Sequence, residues 1–288
     1  YAYRSLPLDD ALSTVIYDNY LESLDGNKLF FLASDIAGFD IYKTSMDDAI
    51  KSRQLDPPFI IFKTYLTRVD ERVAYARGLL KKDFDFTLDE QYLYDREDAP
   101  WAASARELDD IWRQSVKNDV LRLKLAGRPM PEIRETLDKR YALIGERVHQ
   151  LRGDEVFENF MNAYGSAIDP HTSYMSPRSA ENFNMSMRLS LEGVGAVLQV
   201  QDDFVMFRTI MPGSPAEKSG AIKVGDRVLA VGQGESGPMV DVVGWRIDDV
   251  VDKIRGPKGS VVRLDVQSGE EGEDGPHKVV RIVRDKIK

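Results

Sequence analysis

The spacing of apolar residues changes once along this 288-residue chain, and that change limits the possible folds. In residues 1–165 apolar side chains recur at steps of three and four, which is typical of helices that pack along one face. From Leu189 onward they form short runs bounded by Gly, Pro and Asp, which is typical of strands and turns. We therefore predict an α+β multidomain chain, with an all-α N-terminal domain followed by a small β-sheet or partly open barrel with two helices.

Helices are predicted in the first domain at about 8–24, from Asp56 onward, and at 102–125, 131–151 and 155–164. Asp56-Pro57-Pro58 marks a helix start, because Asp can cap free N–H groups and Pro in the first turn loses no hydrogen bond. The stripe that follows is Phe59, Phe62, Leu66, Val69, Val73, Ala76 and Leu80. Residues 81–100 break the pattern and are predicted to form a loop or an irregular crossing segment.

The second domain is predicted to contain several short strands and two helices. The helices are a short one at 216–219 and an amphipathic one at 242–254. The strands are expected at 194–201, 204–210, 227–231, 261–266 and 278–283, with a tight turn at Asp202-Asp203 and a hairpin tip at 268–276.

Two glycines, Gly193 and Gly195, open the apolar run at 191–200. Glycine permits unusual backbone angles and close backbone approach. A loop of exposed N–H groups beside an open strand edge can hold a peptide's terminal carboxylate while the strand pairs with the peptide backbone. A dinucleotide fingerprint is disfavoured, since Leu198 stands where a third glycine is needed and a strand-like run follows. A buried hairpin with a glycine bulge stays open on these residues alone.

Composition narrows the function classes. The net charge is 39 − 48 = −9 without a basic stripe, which makes nucleic acid or an anionic membrane surface a poor partner. No apolar run approaches the roughly 18 residues that span a bilayer. The absence of Cys excludes disulfides, Cys-ligated metals and a Cys nucleophile. The chain has no initiator Met or signal peptide, so we expect a processed or trimmed protein.

Histidine offers little support for a metal or catalytic centre. The three His residues, His149, His171 and His277, are widely spaced and form no metal-ligand pattern. His171 belongs to the segment Asp169-Pro170-His171-Thr172-Ser173-Tyr174, whose proline and small polar residues predict a structured loop. We expect a structural role for this His and no cofactor.

Three segments of the second domain together resemble PDZ domains. They are Pro212-Gly213-Ser214-Pro215-Ala216 with Ser219-Gly220, the segment 222–231 (IKVGDRVLAV), and the segment 254–260 (IRGPKGS). The similarity extends to the tail-specific, or C-terminal processing, protease family through five ordered blocks at 24–35, 85–101, 169–177, 191–200 and 237–246. It covers essentially the whole chain.

The resemblance implies a Gram-negative periplasmic protease, and it leaves open an association with the inner membrane periphery. In this family a helical region and a PDZ domain precede a protease domain with a Ser nucleophile and a Lys general base. The PDZ domain binds apolar C-terminal tails and gates cleavage. No Ser or Lys before the end at Lys288 matches that dyad. We therefore expect a non-catalytic recognition portion that binds tails but does not cleave them. The alternatives are a stand-alone PDZ adaptor or scaffold without enzymatic activity, and a helical sensor whose PDZ domain belongs to a different protease class.

The resemblance also places the candidate site. The carboxylate would meet the backbone N–H groups of Gly193, Val194 and Gly195, and the peptide strand would pair with Ala196, Val197 and Leu198. The groove helix would present Ile247, Val250, Val251 and Ile254, some of which must be core. Arg246 could approach the carboxylate or be a solvated surface residue.

The expected domain limits are 1–165 for the helical domain, 166–190 for a connecting segment and 191–288 for the PDZ domain with the start of a further connection. The expected partners are protein substrates, bound by their C-terminal peptides, and possibly an adaptor protein. Neither nucleic acid nor a membrane span is expected.

Overall fold

The structure is a computed structural model, and it describes residues 6–187, 191–201, 204–269 and 276–287. The chain divides into two compact units between Ser176 and Pro177. The expected connecting segment at 166–190 is partly helical: its first residues complete one helix, and residues 177–187 form another. Over the described ranges, no helix is long and apolar enough to cross a membrane.

The first unit is helical throughout its regular structure. Its helices are α1 (Asp10–Asp25), α2 (Ala33–Phe39), α3 (Met46–Ser52), α4 (Asp56–Leu79), α5 (Ala105–Leu125), α6 (Met130–His149) and α7 (Gly153–Ile168), with a 3₁₀ turn at Asp40–Tyr42. All five predicted helices are present. The sequence did not anticipate α2, α3 or the 3₁₀ turn, and residues 81–100 carry no helix or strand, as predicted.

Two apolar clusters hold this unit together. In the first, α1, α4 and α7 meet, and Tyr20 and Phe160 pack edge to face with ring centres 5.5 Å apart. In the second, Trp112 of α5 and Tyr141 of α6 pack together below α4, with ring centres 6.4 Å apart. The predicted stripe of α4 is buried at most positions, but Phe59 in its first turn is 39% exposed.

Asp25 shapes the corner after α1. Its carboxylate is buried and accepts the backbone N–H groups of Leu29 at 2.7 Å, Phe30 at 2.9 Å and Phe31 at 2.8 Å. The three bonds satisfy N–H groups that the turn would otherwise leave unpaired. Burial raises the pKa of Asp25 to about 6, although these hydrogen bonds and Arg96 act in the opposite direction.

The second unit begins with α8 (Pro177–Met187) and continues with a small antiparallel sheet. Its strands are β1 (Leu191–Gly193), β2 (Ala196–Gln201), β3 (Phe204–Ile210), β4 (Arg227–Gln233), β5 (Met239–Asp241), β6 (Val261–Gln267), β7 (His277–Val283) and β8 (Asp285–Ile287). Two helices, α9 (Pro215–Ser219) and α10 (Ile247–Ile254), complete the unit.

The strands pair in the order β2-β3-β4-β6-β7, with β5 beside β4, while β1 pairs separately with β8. Among the described residues the sheet does not close into a barrel. The core lies between the sheet and α10, with Phe207, Val228 and Leu264 fully buried. The predicted helix at 242–254 begins only at Ile247, because Gly244 has φ +74° in a turn before it. The turn expected at 202–203 and most of the tip expected at 268–276 lie outside the described residues.

Candidate peptide-binding groove

The turn between β1 and β2 requires glycine at Gly195. This residue has φ +76°, in the left-handed region that other residues rarely adopt. A Cβ placed there would lie 2.3 Å from the Cβ of Ser214 and 2.9 Å from the Cδ1 of Ile287. The backbone of the turn is therefore pressed against the start of α9 on one side and against β8 on the other.

The carbonyl and N–H groups of this turn differ in their hydrogen bonding. The carbonyls of Val194 and Gly195 accept hydrogen bonds from the N–H groups of Ala216 at 2.8 Å and Met211 at 3.0 Å, which fixes the turn. Among the described residues, the N–H groups of Val194 and Gly195 donate to no acceptor. The turn thus offers two fixed donors side by side, an arrangement that favours an anion.

A cavity of about 310 Å³ opens beside these donors. Its lining is apolar except for one arginine, and consists of Gly193, Val194, Gly195, Ala196, Val197, Leu198, Met211, Val251, Ile254, Arg255 and Ile287. Across the described ranges β2 pairs with β3 on one side and with no strand on the other. The cavity therefore runs between an available strand edge and α10.

Strand β2 contains a bulge between Val197 and Leu198, where its register with β3 shifts. Ala196 and Leu198 pack partly against the core, whereas Val197 is 41% exposed. All three of the residues expected to pair with a peptide strand, Ala196, Val197 and Leu198, lie in the lining of the cavity.

Helix α10 divides the four residues assigned to the groove wall. Val251 and Ile254 line the cavity, whereas Val250 is fully buried in the core and Ile247 packs against that core. The difference follows from helical geometry, because positions 247, 250 and 254 share the face that covers the sheet while 251 lies about 100° away from 250. Val250 therefore belongs to the core and Ile247 packs beside it, as expected for some of the four, while the contact of Val251 and Ile254 with a peptide stays a prediction.

The sequence reasoning missed three lining residues, Met211, Arg255 and Ile287. Arg255 follows the last turn of α10 in extended conformation, and it is the one charged residue in the lining as far as the chain is described. Arg246, the candidate for the carboxylate, instead precedes α10, outside the lining, with its guanidinium 3.8 Å from Asp248. The position of Arg255 directly after an apolar helix was the available clue.

Arg178 forms two ion pairs with α10 on the side of the helix opposite the cavity. The guanidinium of Arg178, in the first turn of α8, donates to Asp249 at 3.1 Å and to Asp252 at 2.7 Å. Both aspartates lie on α10, and Arg178 and Asp249 are less than one-third exposed. A two-armed pair restricts sliding and rotation of a short helix more than a single contact would.

The Asp169 loop contains a local turn. His171 is exposed, and its backbone N–H donates to the carboxylate of Asp169 at 2.8 Å, which closes a local turn. Within the described part of the chain, no group of three His, Cys, Asp or Glu side chains is placed to hold a metal ion.

A helical domain followed by a small antiparallel sheet with a glycine turn beside an open strand edge defines the class of protein. Comparison with known families agrees: the family described as "Tail specific protease N-terminal domain" matches residues 1–178, and "PDZ domain" matches residues 182–267. The chain belongs to the tail-specific protease family. The resemblance inferred from the sequence, and the helical-plus-PDZ architecture, are confirmed.

Curated relatives carry matching names. The chain is 40% identical over 287 residues to the tail-specific protease of Haemophilus influenzae, covering 99% of this chain and 41% of that protein. It is 31% identical over 140 residues to the carboxy-terminal processing protease CtpA of Bacillus subtilis, covering 48% of this chain and 28% of that protein. The chain thus spans about two-fifths of the first of these relatives.

Among solved structures, a PDZ domain of a carboxy-terminal protease from Vibrio cholerae, in complex with a peptide, is 55% identical to this chain. The match covers 34% of this chain and 98% of that one, with a TM-score of 0.33.

Proposed function

We propose that the groove of the second unit captures protein substrates by their apolar C-terminal tails. One observation carries the proposal: the N–H groups of Val194 and Gly195, which donate to no described residue, belong to the lining of an apolar cavity beside an open strand edge. The terminal carboxylate would accept hydrogen bonds from this turn, with Gly193 beside it. Charge-assisted hydrogen bonds of this kind are shorter and stronger than neutral ones.

The rest of the tail would be held by the two walls of the groove. Its backbone would add a strand to the edge of β2, and its last side chain would enter the cavity against Val251, Ile254 and Met211. A volume of about 310 Å³ accommodates one aliphatic side chain with part of the next residue. Arg255 would favour the negatively charged end of the peptide over an uncharged one.

In the full-length protein, we propose, tail capture serves a serine protease domain with a Ser/Lys dyad, and occupation of the groove gates cleavage. The family membership and the names of the relatives support this role. Such a dyad works without His because a desolvated Lys can be neutral and accept the Ser proton. The 288 residues alone would bind tails without cleaving them, and the protein would act in the periplasm, where an adaptor could deliver substrates.

The test compares one labelled peptide with an apolar C-terminus in two forms, the free acid and the amide. We expect the amide to bind at least about tenfold more weakly, since it loses a charge-assisted hydrogen bond. Val197→Glu should also weaken binding, because it places a carboxylate beside the peptide. Val279→Glu on β7 is the matched control, since Val279 is an exposed strand valine of the same unit outside the cavity lining.

Equal affinity for the acid and the amide would refute the role of the turn. Equal loss in the two glutamate variants would refute the placement of the peptide along β2. Incubation with the same peptide, followed by mass spectrometry, tests the expected lack of cleavage, and any specific product would place catalytic residues within this chain.

A further inference from the structure

The helical unit contains a second cavity, of about 430 Å³, that the tail-binding proposal does not use. One face of α1, with Tyr17 and Leu21, forms one wall. The 3₁₀ turn with Asp40 and the segment that ends at Trp101 form the others. All of these elements belong to the first compact unit, so the cavity is independent of the groove.

The lining of this cavity is strongly acidic. It carries Asp18, Glu22, Asp25, Asp40, Glu97 and Asp98 against two cations, Lys28 and Lys43. Asp25 is committed to the three backbone N–H groups of its turn. The other five carboxylates form no ion pair with any described residue. The excess negative charge favours a cationic ligand.

A buried hydroxyl in the same lining is a second observation, independent of the charge, that indicates a missing polar partner. Tyr17 is 2% exposed and lines the cavity, and its hydroxyl has no hydrogen-bond partner among the described residues. A buried polar group of this kind is normally satisfied by a partner. Burial, and then the carboxylates of Asp40 and Asp18, raise the pKa of Tyr17 to about 12, so the phenol remains neutral at physiological pH.

Lys28 indicates what sort of cation the cavity accepts. Its ammonium lies 5.6 Å from the centre of the Trp101 ring and donates to the carbonyl of Ala99 at 2.7 Å. One part of the cavity therefore already holds an alkylammonium group by an aromatic face and oxygen acceptors. No three acidic or His side chains in the described residues are grouped for a metal ion, so separated carboxylates suit an extended organic cation better.

We propose that this cavity binds an alkylammonium or guanidinium group, whose N–H donors reach the Tyr17 hydroxyl and the carboxylates of Asp18 and Asp40. The aliphatic stem of the ligand would lie on the apolar part of the wall, near Leu21. Such a group is offered both by a basic side chain of a polypeptide and by a free diamine.

The experiment titrates the 288-residue protein by calorimetry with three small probes. Nα-acetyl-lysine methylamide represents a basic side chain, diaminopentane represents a free diamine, and Nα-acetyl-norleucine methylamide is the uncharged control. We expect the cations to bind at low salt, more weakly at high salt, and the norleucine compound not to bind. The tighter of the two cations identifies the source. Equal binding of the norleucine compound, or no binding of either cation, overturns the proposal.

Three variants distinguish binding in this cavity from non-specific attraction of a cation to an acidic protein. Tyr17→Phe should weaken cation binding by about tenfold, the value of one hydrogen bond to a charged group, without lowering the melting temperature. Asp40→Asn should weaken binding several-fold. Asp89→Asn makes the same charge change at an exposed residue outside the cavity and should leave binding unchanged. Unchanged binding in Tyr17→Phe, or equal losses in the two Asn variants, would show that no such site exists.

Discussion

Replacing Gly195 by alanine should destabilise the PDZ unit by about 2–3 kcal/mol. Holding alanine at φ +76° costs about 1–2 kcal/mol. The new methyl group would also lie 2.3 Å from the Cβ of Ser214, so Ser214 must move. Ser214 caps α9 by accepting the N–H of Glu217, and loss of a cap costs about 1 kcal/mol. Together these two costs give the expected range, and the carboxylate turn should lose its shape.

Gly213→Ala is the matched control for this prediction. Gly213 has a similar φ of +74°, but no atom lies within 4 Å of the Cβ that alanine would add. Hydrogen exchange measured by mass spectrometry on the peptide that contains β3 reports the stability of this unit within the intact protein. We expect Gly195→Ala to lose at least about 1 kcal/mol more than Gly213→Ala, because only the former displaces the cap. Equal losses would refute the close approach at Gly195.

Two further predictions concern Arg178 and Asp25. Arg178→Gln should weaken tail binding about two- to fivefold, because α10 loses the ion pairs that hold it in place. Arg208→Gln, at an exposed arginine of β3, is the control and should leave binding unchanged. Equal effects of the two variants in titrations with the free-acid peptide would contradict the positioning role of Arg178. The native pKa of Asp25, about 6, lies above its unfolded value of about 3.9, so the native state binds the proton more tightly. The stability of the helical unit should therefore fall by up to about 3 kcal/mol as the pH rises from about 4 to 6. Urea unfolding followed by circular dichroism should show that Asp25→Asn removes this pH dependence. If the free energy of unfolding of the variant still falls as the pH rises, as in the wild type, a group other than Asp25 is responsible.

The long helices of the first unit could be predicted because their apolar stripes repeat over several turns. Helices α4 and α5 have 24 and 21 residues, and both were recognised from the period of their apolar residues, with Asp56-Pro57-Pro58 marking the start of α4. Helices α2 and α3 have seven residues each, which is too short for a repeat to stand out from composition. The three-residue strand β5 escaped prediction for the same reason.

The turn at Gly193–Gly195 could be predicted because its requirement is local. A positive φ favours glycine whatever surrounds the turn, so the glycines themselves mark the place. The close approach at Gly195 depends on Ser214 and Ile287, which are distant in sequence and could not be named in advance. Met211 and Ile287 entered the lining through the pairing of β2 with β3 and of β1 with β8, which is non-local information.

The wall of the groove shows where amphipathic patterns stop being informative. The apolar arc of α10 is wide enough to serve two surfaces, the core beneath the helix and the cavity beside it. Val250 and Val251 are adjacent and chemically identical, yet one is fully buried in the core and the other lines the cavity. The period of the apolar residues identifies which side chains are buried on folding. Which of them line the cavity depends on how the helix is oriented on the sheet. Helix α10 packs against β2 and β4, which are distant from it in sequence, so the division of α10 becomes visible only when the sheet is in place.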